Sequence, residues 1–539
     1  MVKPVNVSAL ARRMPTAGTL FLGIVIGLII TKLFTSSPSQ STAWSGSHST
    51  PLRGNPVHSR LSRSTPLPTL TQRYRVLEII ASLSAHHTKE CLRQPQEQYA
   101  QQVHKRYEPL VGHKSYYTGK GWFGLGGGGV VPDTHTPDLM DAKRSNLNKR
   151  DADPLGADGW NEHKKRDLVS KQHKYFFAIN LYNSFDVIPD LFATMFRTAG
   201  VLGYHNVFVS IYENGSNDQT KALLRIFDAL ARVVGMRIII RTSMRTRGAF
   251  NHRIEYLAEV RNAAMVPLHE LRDTEGEIFD TVIFMNDILP CVDDVLELIW
   301  QSRRQNAGIT CAADYMFHDD IGAPVFYDNW VARDINGTAL ENAPFEQIFH
   351  HTESEKRFMH HLPVQVQSCW NGIAVLDPAP FYNPPHVRFR MAKLSEGECS
   401  ASECGLICND YWNSGYGRII MVPRVKLAYD KRVYDIIHPV RRNLTAIRGY
   451  KRLGGLPDDP HTDPQDKNWY GPHDRLFVPE EDEVLNFQPG PKYVWCWGWD
   501  GAGDLDGPDV DPIWEEQLPT TYDKDSILIK HDRSMPGWS

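Results

Sequence analysis

The sequence predicts an α/β fold, a doubly wound and mostly parallel sheet with helices on both faces. Three observations carry that prediction. Strand-like and helix-like patterns alternate four times between Lys174 and Trp300. The strand segments are short runs of almost continuous apolar residues, as parallel strands covered on both faces require. The fourth run, "FDTVIFMNDILPC" (Phe279 to Cys291), drives straight into an amide and a carboxylate, Asn286 and Asp287. An open parallel sheet binds its ligands beyond the carboxyl ends of its strands, so a carboxylate there has a use beyond a polar loop.

The elements follow in order. "KYFFAINL" (Lys174 to Leu181) is the first strand, and "VIPDLFATMFRTAG" follows with Ile188, Leu191, Phe192, Met195 and Phe196 on one helical face. "NVFVSIY" is the second strand. "TKALLRIFDALARVVG" is the second helix, with Leu223, Ile226, Phe227, Leu230 and Val234 in register and Gly235 at its end. "MRIIIRT" and "RIEYLAEVRNAAM" form the third pair, and "DTVIFM" and "CVDDVLELIW" the fourth. Right-handed crossovers place all four strand ends along one edge.

At 539 residues the chain has room for one large domain or two to three ordinary ones. A formal net charge of -4, with lysine and arginine spread along the chain, argues against a nucleic-acid partner. The one long apolar run, "AGTLFLGIVIGLIITKLF" (Ala17 to Phe34), has about the length of a single membrane-spanning helix. Lys3, Arg12 and Arg13 precede it, so the positive-inside rule keeps residues 1–16 in the cytosol. A signal anchor over residues 17–34 is preferred to a cleaved signal peptide, because no clear small-residue cleavage site follows. Residues 35–70, rich in Ser, Thr and Pro, then read as a flexible stem. Residues 71–171 form a lumenal extension of unclear pattern, 172–440 the α/β domain and 441–539 a polar C-terminal extension without a readable role.

A lumenal setting makes disulfides the default for the eight cysteines, including the close trio Cys399, Cys404 and Cys408, although pairing is not legible. It also makes Asn214, Asn336 and Asn443 glycosylation sequons, while Asn6 stays on the cytosolic side. "GLGGGG" (Gly124 to Gly129) lacks the preceding strand and following helix of a dinucleotide site, so it reads as a loop. The first strand–helix junction, "NLYNSFDVIPD", has no glycine, which speaks against a nicotinamide-binding domain. The acidic piece "DGAGDLDGPDVDP" near the C-terminus lacks EF-hand spacing and also reads as a loop.

The second strand ends in "ENGSNDQT" (Glu213 to Thr220), which resembles the "DDGSTDGT"-type loop of nucleotide-sugar transferases with the GT-A fold. "FMNDI" stands where such enzymes carry a DxD-type metal motif. Further on, "AGITCAADYMFHDD", "SCWNGIAVLDPAPFY" and "CSASECGLICNDYWNSGYGRIIMVP" are similar to the cryptococcal mannosyltransferase family, fungal capsule-associated α-1,3-mannosyltransferases. The resemblance covers roughly Tyr175 to Asp435. It implies a GT-A-like, Rossmann-type domain that moves mannose from GDP-mannose to a mannose-containing glycan acceptor with retention. It also implies a divalent cation, Mn²⁺ or Mg²⁺, and residence in the Golgi membrane.

The resemblance distributes roles as follows. Asp287 holds the metal, with His438 as a late metal or phosphate contact, and Asn286 departs from a full DxD. Glu213 faces the nucleoside. Asp218 divides between helix capping and a ligand role, and Arg261 between a cation near the diphosphate and a solvated arginine of the third helix. Asp314 sits on the acceptor side, beside His318, Asp319 and Asp320. Trp370, Asn371 and Gly372 form a sugar-stacking wall. Glu403 and Asp410 occupy the segment that carries the general base in related inverting transferases. Asp410 is preferred because a disulfide at Cys408 would fix its loop. Two alternatives stay open: a same-fold transferase with another donor, such as a xylosyl one, and a non-catalytic accessory protein of polysaccharide synthesis.

Overall fold

A computed structural model describes residues 75–76, 79, 102–103, 105–111, 173–244, 252–343, 348–438, 476–499 and 511–533. All lie within one compact unit, residues 56–539. The run expected to cross a membrane, the stem, the glycine run and Asn443 fall outside the described residues. Among those described, no helix is long and apolar enough to span a bilayer.

The four predicted strands form as β1 (Tyr175–Leu181), β2 (Val207–Asn214), β3 (Arg237–Ser243) and β4 (Thr281–Met285). They lie side by side in the order β3-β2-β1-β4, all parallel. Successive side chains alternate between two cores. Phe176, Val282 and Phe284 point to one face; Phe177, Ile179, Ile283 and Met285 point to the other. The helices α1 (Ile188–Leu202), α2 (Thr220–Val234) and α4 (Val292–Arg304) cover the second face, where Phe192 and Phe227 stack at 3.9 Å. On the first face lies α3 (Arg253–Glu275), with Ala264, Leu268 and Leu271 inward.

That helix runs ten residues beyond its sequence-predicted end at Met265. Pro267 removes one backbone donor, yet the apolar stripe continues to Leu271, and its burial outweighs the lost hydrogen bond. Gly276, at φ +64°, ends the helix, with its N–H on Arg272 O (3.0 Å) and the Glu277 N–H on Leu271 O (3.2 Å).

Beyond β4 the sheet turns mixed. The strands β5 (Ile309–His318), β6 (Ala323–Phe326), β7 (Arg333–Asp334), β8 (Val364–Ser368), β9 (Ile373–Leu376) and β10 (Ile419–Ala428) extend the order as β4-β9-β5-β10-β8-β7, with β6 on β5. β9 is antiparallel to both β4 and β5, and β10 is parallel to β5 with Leu427 opposite Asp314. The start of β9 therefore meets the end of β4, and the far halves of β5 and β10 arrive at the same edge. Short helices α5 (Thr352–Met359) and α6 (Ala379–Tyr382) follow, then α7 (Glu403–Asn413) and α8 (Lys431–Ile437).

The described C-terminal residues are part of this body. Arg424 pairs with Glu481 at 2.5 Å, and β11 (Tyr493–Cys496) pairs with β12 (Ile513–Glu516). Disulfides join Cys311 to Cys369 and Cys399 to Cys496, and Cys291 is disulfide-bonded as well. Cys404 and Cys408 are buried thiols, which corrects the expectation of a disulfide beside Asp410. They sit on the inner face of α7, where a small apolar side chain is what the packing needs.

Candidate active site

Strand order changes direction between β1 and β4, and Asp287 stands at that point. Its Oδ2 accepts from the Ser184 hydroxyl at 3.3 Å, bridging the loops that follow the two strands. Burial pushes its carboxyl above the usual range, opposed by its own N–H, by Ser184 and by Arg261. Asn286 is fixed on all sides. Its N–H donates to Gly372 O (2.9 Å), and its Oδ1 accepts from Arg261 Nη1 (3.2 Å) and Trp370 Nε1 (3.4 Å).

Arg261 also donates through Nε to Glu403 Oε1 at 2.8 Å, with side-chain exposures of 12% and 2%. Phe284, Trp370 and Phe389 pack around its guanidinium at 5.2, 4.8 and 5.7 Å. α3 and α7 thus deliver one cation and one carboxylate to the end of β4. Of the two acids proposed for catalysis, Glu403 reaches this edge. Asp410 lies two turns further along α7, bound to Arg390 at 2.8 and 2.9 Å, and Arg390 also holds Glu398.

Glu213 ends β2 fully buried, accepting from the Ser216 N–H and lying 3.8 Å from Lys221 Nζ, while its Oε2 has no hydrogen-bond partner. Asp218 accepts from the Thr220 N–H (2.9 Å) and the Phe185 N–H (3.2 Å). Desolvation alone would raise its carboxyl, but these bonds, with those from the Thr220 hydroxyl and its own N–H, together hold it below the ordinary value. Asn183 and Ser184 are tied to Ser216 and Thr220 at 2.9 Å each. Asp218, Ser216 and Thr220 therefore lock the β1–α1 and β2–α2 loops together, Glu213 orders the second loop from within, and the locked pair leaves Tyr182 and Phe185 exposed.

A second cluster borders the first. Asp314, wholly buried on β5, accepts from Asn371 Nδ2 and from the Tyr429 hydroxyl, each at 2.9 Å. The Asn371 N–H donates to Asp328 Oδ2 at 3.2 Å. Burial raises Asp314 to about 6, against the Asn371 and Tyr429 bonds, and burial together with the Asp314 charge raises Asp328 well above the ordinary value. Tyr327 stands over Tyr429 at 5.2 Å with 44% exposure.

Three expectations change here. Trp370 is 1% exposed and packs on Phe284 and Phe389, so it backs Arg261 instead of presenting a sugar-stacking face. Gly372 makes room for protein, not sugar: at φ +80° an added Cβ would lie 2.9 Å from Ile288 Cγ2. His438 is a core residue, with Nε2 on Lys426 O at 2.7 Å and its ring against Tyr434 at 4.4 Å. His318, Asp319 and Asp320 belong to the end of β5 and the turn into β6. Sequence reasoning missed Asp328, Tyr327, Tyr182 and Phe185. The last two follow the first strand directly, where the logic applied to Asp287 would have found them.

Among the described residues, no group of three or more His, Cys, Asp or Glu is arranged to hold a metal. At the end of β4, Asp287 is a weakly partnered carboxylate beside the Ser184 hydroxyl. A hard divalent cation takes oxygen ligands, and the Asp287 carboxylate with the Ser184 hydroxyl is the oxygen pair that could hold one here.

The profile of the family described as cryptococcal mannosyltransferase 1 matches residues 174–410. The alpha-1,3-mannosyltransferase CMT1 of Cryptococcus neoformans var. neoformans serotype D is 34% identical over 374 residues, which is 66% of this chain and 74% of that one. Among solved structures, GalNAc-T7 with UDP, GalNAc and Mn2+ is 12% identical over 47% of this chain and 42% of its own, with a TM-score of 0.29. The mannosyltransferase PcManGT from Pyrobaculum calidifontis, in complex with GDP-Man and Mn2+, is 14% identical over 52% and 69%, with a TM-score of 0.28. Both structural likenesses are too low to bear on chemistry. The identity to the fungal enzyme is not: the chain belongs to the cryptococcal mannosyltransferase family and is a glycosyltransferase.

Proposed function

We propose that the chain transfers mannose from GDP-mannose to a mannose-containing glycan in α-1,3 linkage with retention, on a GT-A-like domain. The observation that carries the donor side is Asp287, a half-buried carboxylate whose side-chain partner is one hydroxyl, where strand order reverses, the position at which parallel sheets take nucleotides. The relative's activity supports the sugar and the linkage. The exposed Tyr182 and Phe185 are the faces offered to the base, on a loop braced by Asp218, Ser216 and Thr220, while Glu213 orders the neighbouring β2–α2 loop. Arg261 places a cation beside the leaving diphosphate, oriented by Glu403 and insulated by three aromatic rings. A divalent ion, Mn²⁺ or Mg²⁺, would be held by Asp287 and would supply Lewis-acid stabilisation of that leaving group. We further propose that residues 17–34 anchor the chain in the Golgi membrane with the catalytic unit in the lumen.

The test is a donor panel, GDP-mannose against UDP-sugars including UDP-xylose, with a mannose-terminated acceptor and Mn²⁺. GDP-mannose should be the preferred donor, and nuclear magnetic resonance of the product should show an α anomer. A β anomer would contradict retention. Turnover of a UDP-sugar alone would reassign the donor, and no turnover with any donor would favour an accessory role.

A further inference from the structure

Among the described residues, several carboxylates reach or approach this edge of the sheet, and most are committed. Asp287 faces the proposed diphosphate. Glu403 is ion-paired with Arg261 at 2.8 Å, and Asp410 with Arg390 at 2.8 Å. Asp314 accepts from Asn371, from Tyr429 and from the backbone N–H of Asp328. Asp328 is different. Its side chain has a single hydrogen bond, Asn371 N–H to Oδ2, and it is partly accessible, so Oδ1 is open to an incoming group. Exposed Tyr327 stands next to it, a surface on which a sugar ring can lie.

Building on the transferase reading, we propose that Asp328 is the catalytic carboxylate that takes the proton of the acceptor hydroxyl. In that step the acceptor O–H bond breaks and its proton moves to Asp328 Oδ1. The acceptor oxygen bonds the sugar's anomeric carbon from the face on which the diphosphate departs, so configuration is retained, and the bond from that carbon to the diphosphate breaks, with the electron pair leaving on the phosphate. Asn371 is the positioning residue, because one side chain and its own N–H fix both members of the acid pair. Its φ of +55° is a backbone conformation that asparagine tolerates better than most residues.

The groups facing Asp328 agree with a base that works near neutral pH. Asp314 on β5 is a like charge that favours the protonated form. Glu403 on α7 acts the same way at longer range, and Arg261 on α3 opposes it. Arg333 also lies within electrostatic reach, as do the Tyr327 and Tyr429 hydroxyls and the buried thiols Cys404 and Cys408. A carboxylate raised in this way accepts a proton more strongly than an ordinary surface acid.

The test is Asp328→Asn, which keeps an oxygen acceptor for the Asn371 N–H. Its kcat should fall about 10²- to 10⁴-fold, while calorimetric affinity for GDP-mannose stays within about threefold. In the unmodified enzyme, kcat should fall as pH drops through a value above the usual carboxylate range. The residual rate of Asp328→Asn should lack that limb. A variant within about threefold of the unmodified kcat, or one that keeps the acid limb, overturns the proposal. If melting shows that Asp328→Asn does not fold, Asp314→Asn decides. Removing the like charge should move the acid limb to lower pH, and an unmoved limb overturns the proposal. No transfer by the unmodified protein from any nucleotide sugar would instead overturn the transferase reading beneath it.

Discussion

Arg261 satisfies two partners from one side chain, Glu403 through Nε and Asn286 through Nη1, in a pocket of three aromatic rings. Removing it leaves the Glu403 carboxylate buried without a counter-charge, with the Ser402 hydroxyl and the Cys404 thiol as its remaining partners, which costs about 3–5 kcal/mol. Arg261→Met should therefore lower the unfolding free energy by about that amount, and Arg261→Met with Glu403→Gln should recover part of it. Denaturant titration of the four proteins of that cycle checks this; strictly additive losses would contradict the pairing. Asp314 carries a pH signature. Its carboxyl is raised to about 6 by burial, so the folded state holds the proton more tightly than the unfolded chain. Its contribution is most favourable below the unfolded value near 4 and is lost as pH rises through about 6. Asp314→Asn should stay folded and flatten the dependence of melting temperature on pH between about 4 and 6; an unchanged dependence would contradict it. The strand-end logic made Asn286 and Asp287 legible in the sequence. Trp370 was misread because nothing local shows that Phe284 and Phe389 close over it. Asp328 was missed because its meaning depends on Asn371, a residue remote in sequence.

At the scale of elements, the four parallel strands and their helices were legible because each is a single-period apolar run bounded by turn chemistry. The α2 limits match the reading, Thr220 to Val234, with Gly235 in the left-handed region as the cap. Glu213 and Asn214 were read as loop and are strand, since the ladder to β3 continues through Thr242 and Ser243. The insertion of β9 between β4 and β5 was not legible, because four apolar residues, Ile373–Leu376, show no direction. That insertion positions the site by bringing Asn371 and Gly372 to Asn286. Gly372→Ala combines a left-handed backbone with a 2.9 Å approach to Ile288, so it should destabilise the fold by about 1–3 kcal/mol. Calorimetry would show this as a lower melting temperature, and a neutral substitution would mean that β9 tolerates displacement.

On the largest scale, the C-terminal residues that gave no readable pattern buttress the site. Trp499 is fully buried. Its carbonyl accepts from His252 Nε2 (2.8 Å) and from the Ser400 hydroxyl, and Arg253 lies 4.8 Å from its ring. The Trp497 carbonyl receives Trp330 Nε1 at 3.0 Å. The segment after β11 thus joins the start of α3, the approach to α7 and the segment after Asp328. The contacts are between residues up to 247 apart in the chain, which explains why local pattern did not reveal them. The sequons separate on structure too. Asn336 is exposed in a turn, whereas Asn214 is 9% exposed with Nδ2 on the Tyr256 hydroxyl at 3.3 Å. Glycopeptide mass spectrometry of secreted protein should find glycan at Asn336 and none at Asn214; full occupancy at Asn214 would contradict the packing there. The most direct test of the site at the β1–β4 junction is GDP-mannose turnover by Asp287→Ala, measured beside its melting curve. A folded variant whose transfer falls to background is the expected result, since this partly exposed strand-end acid adds little to the core. A folded variant with near-normal transfer would contradict the placement of the donor at Asp287.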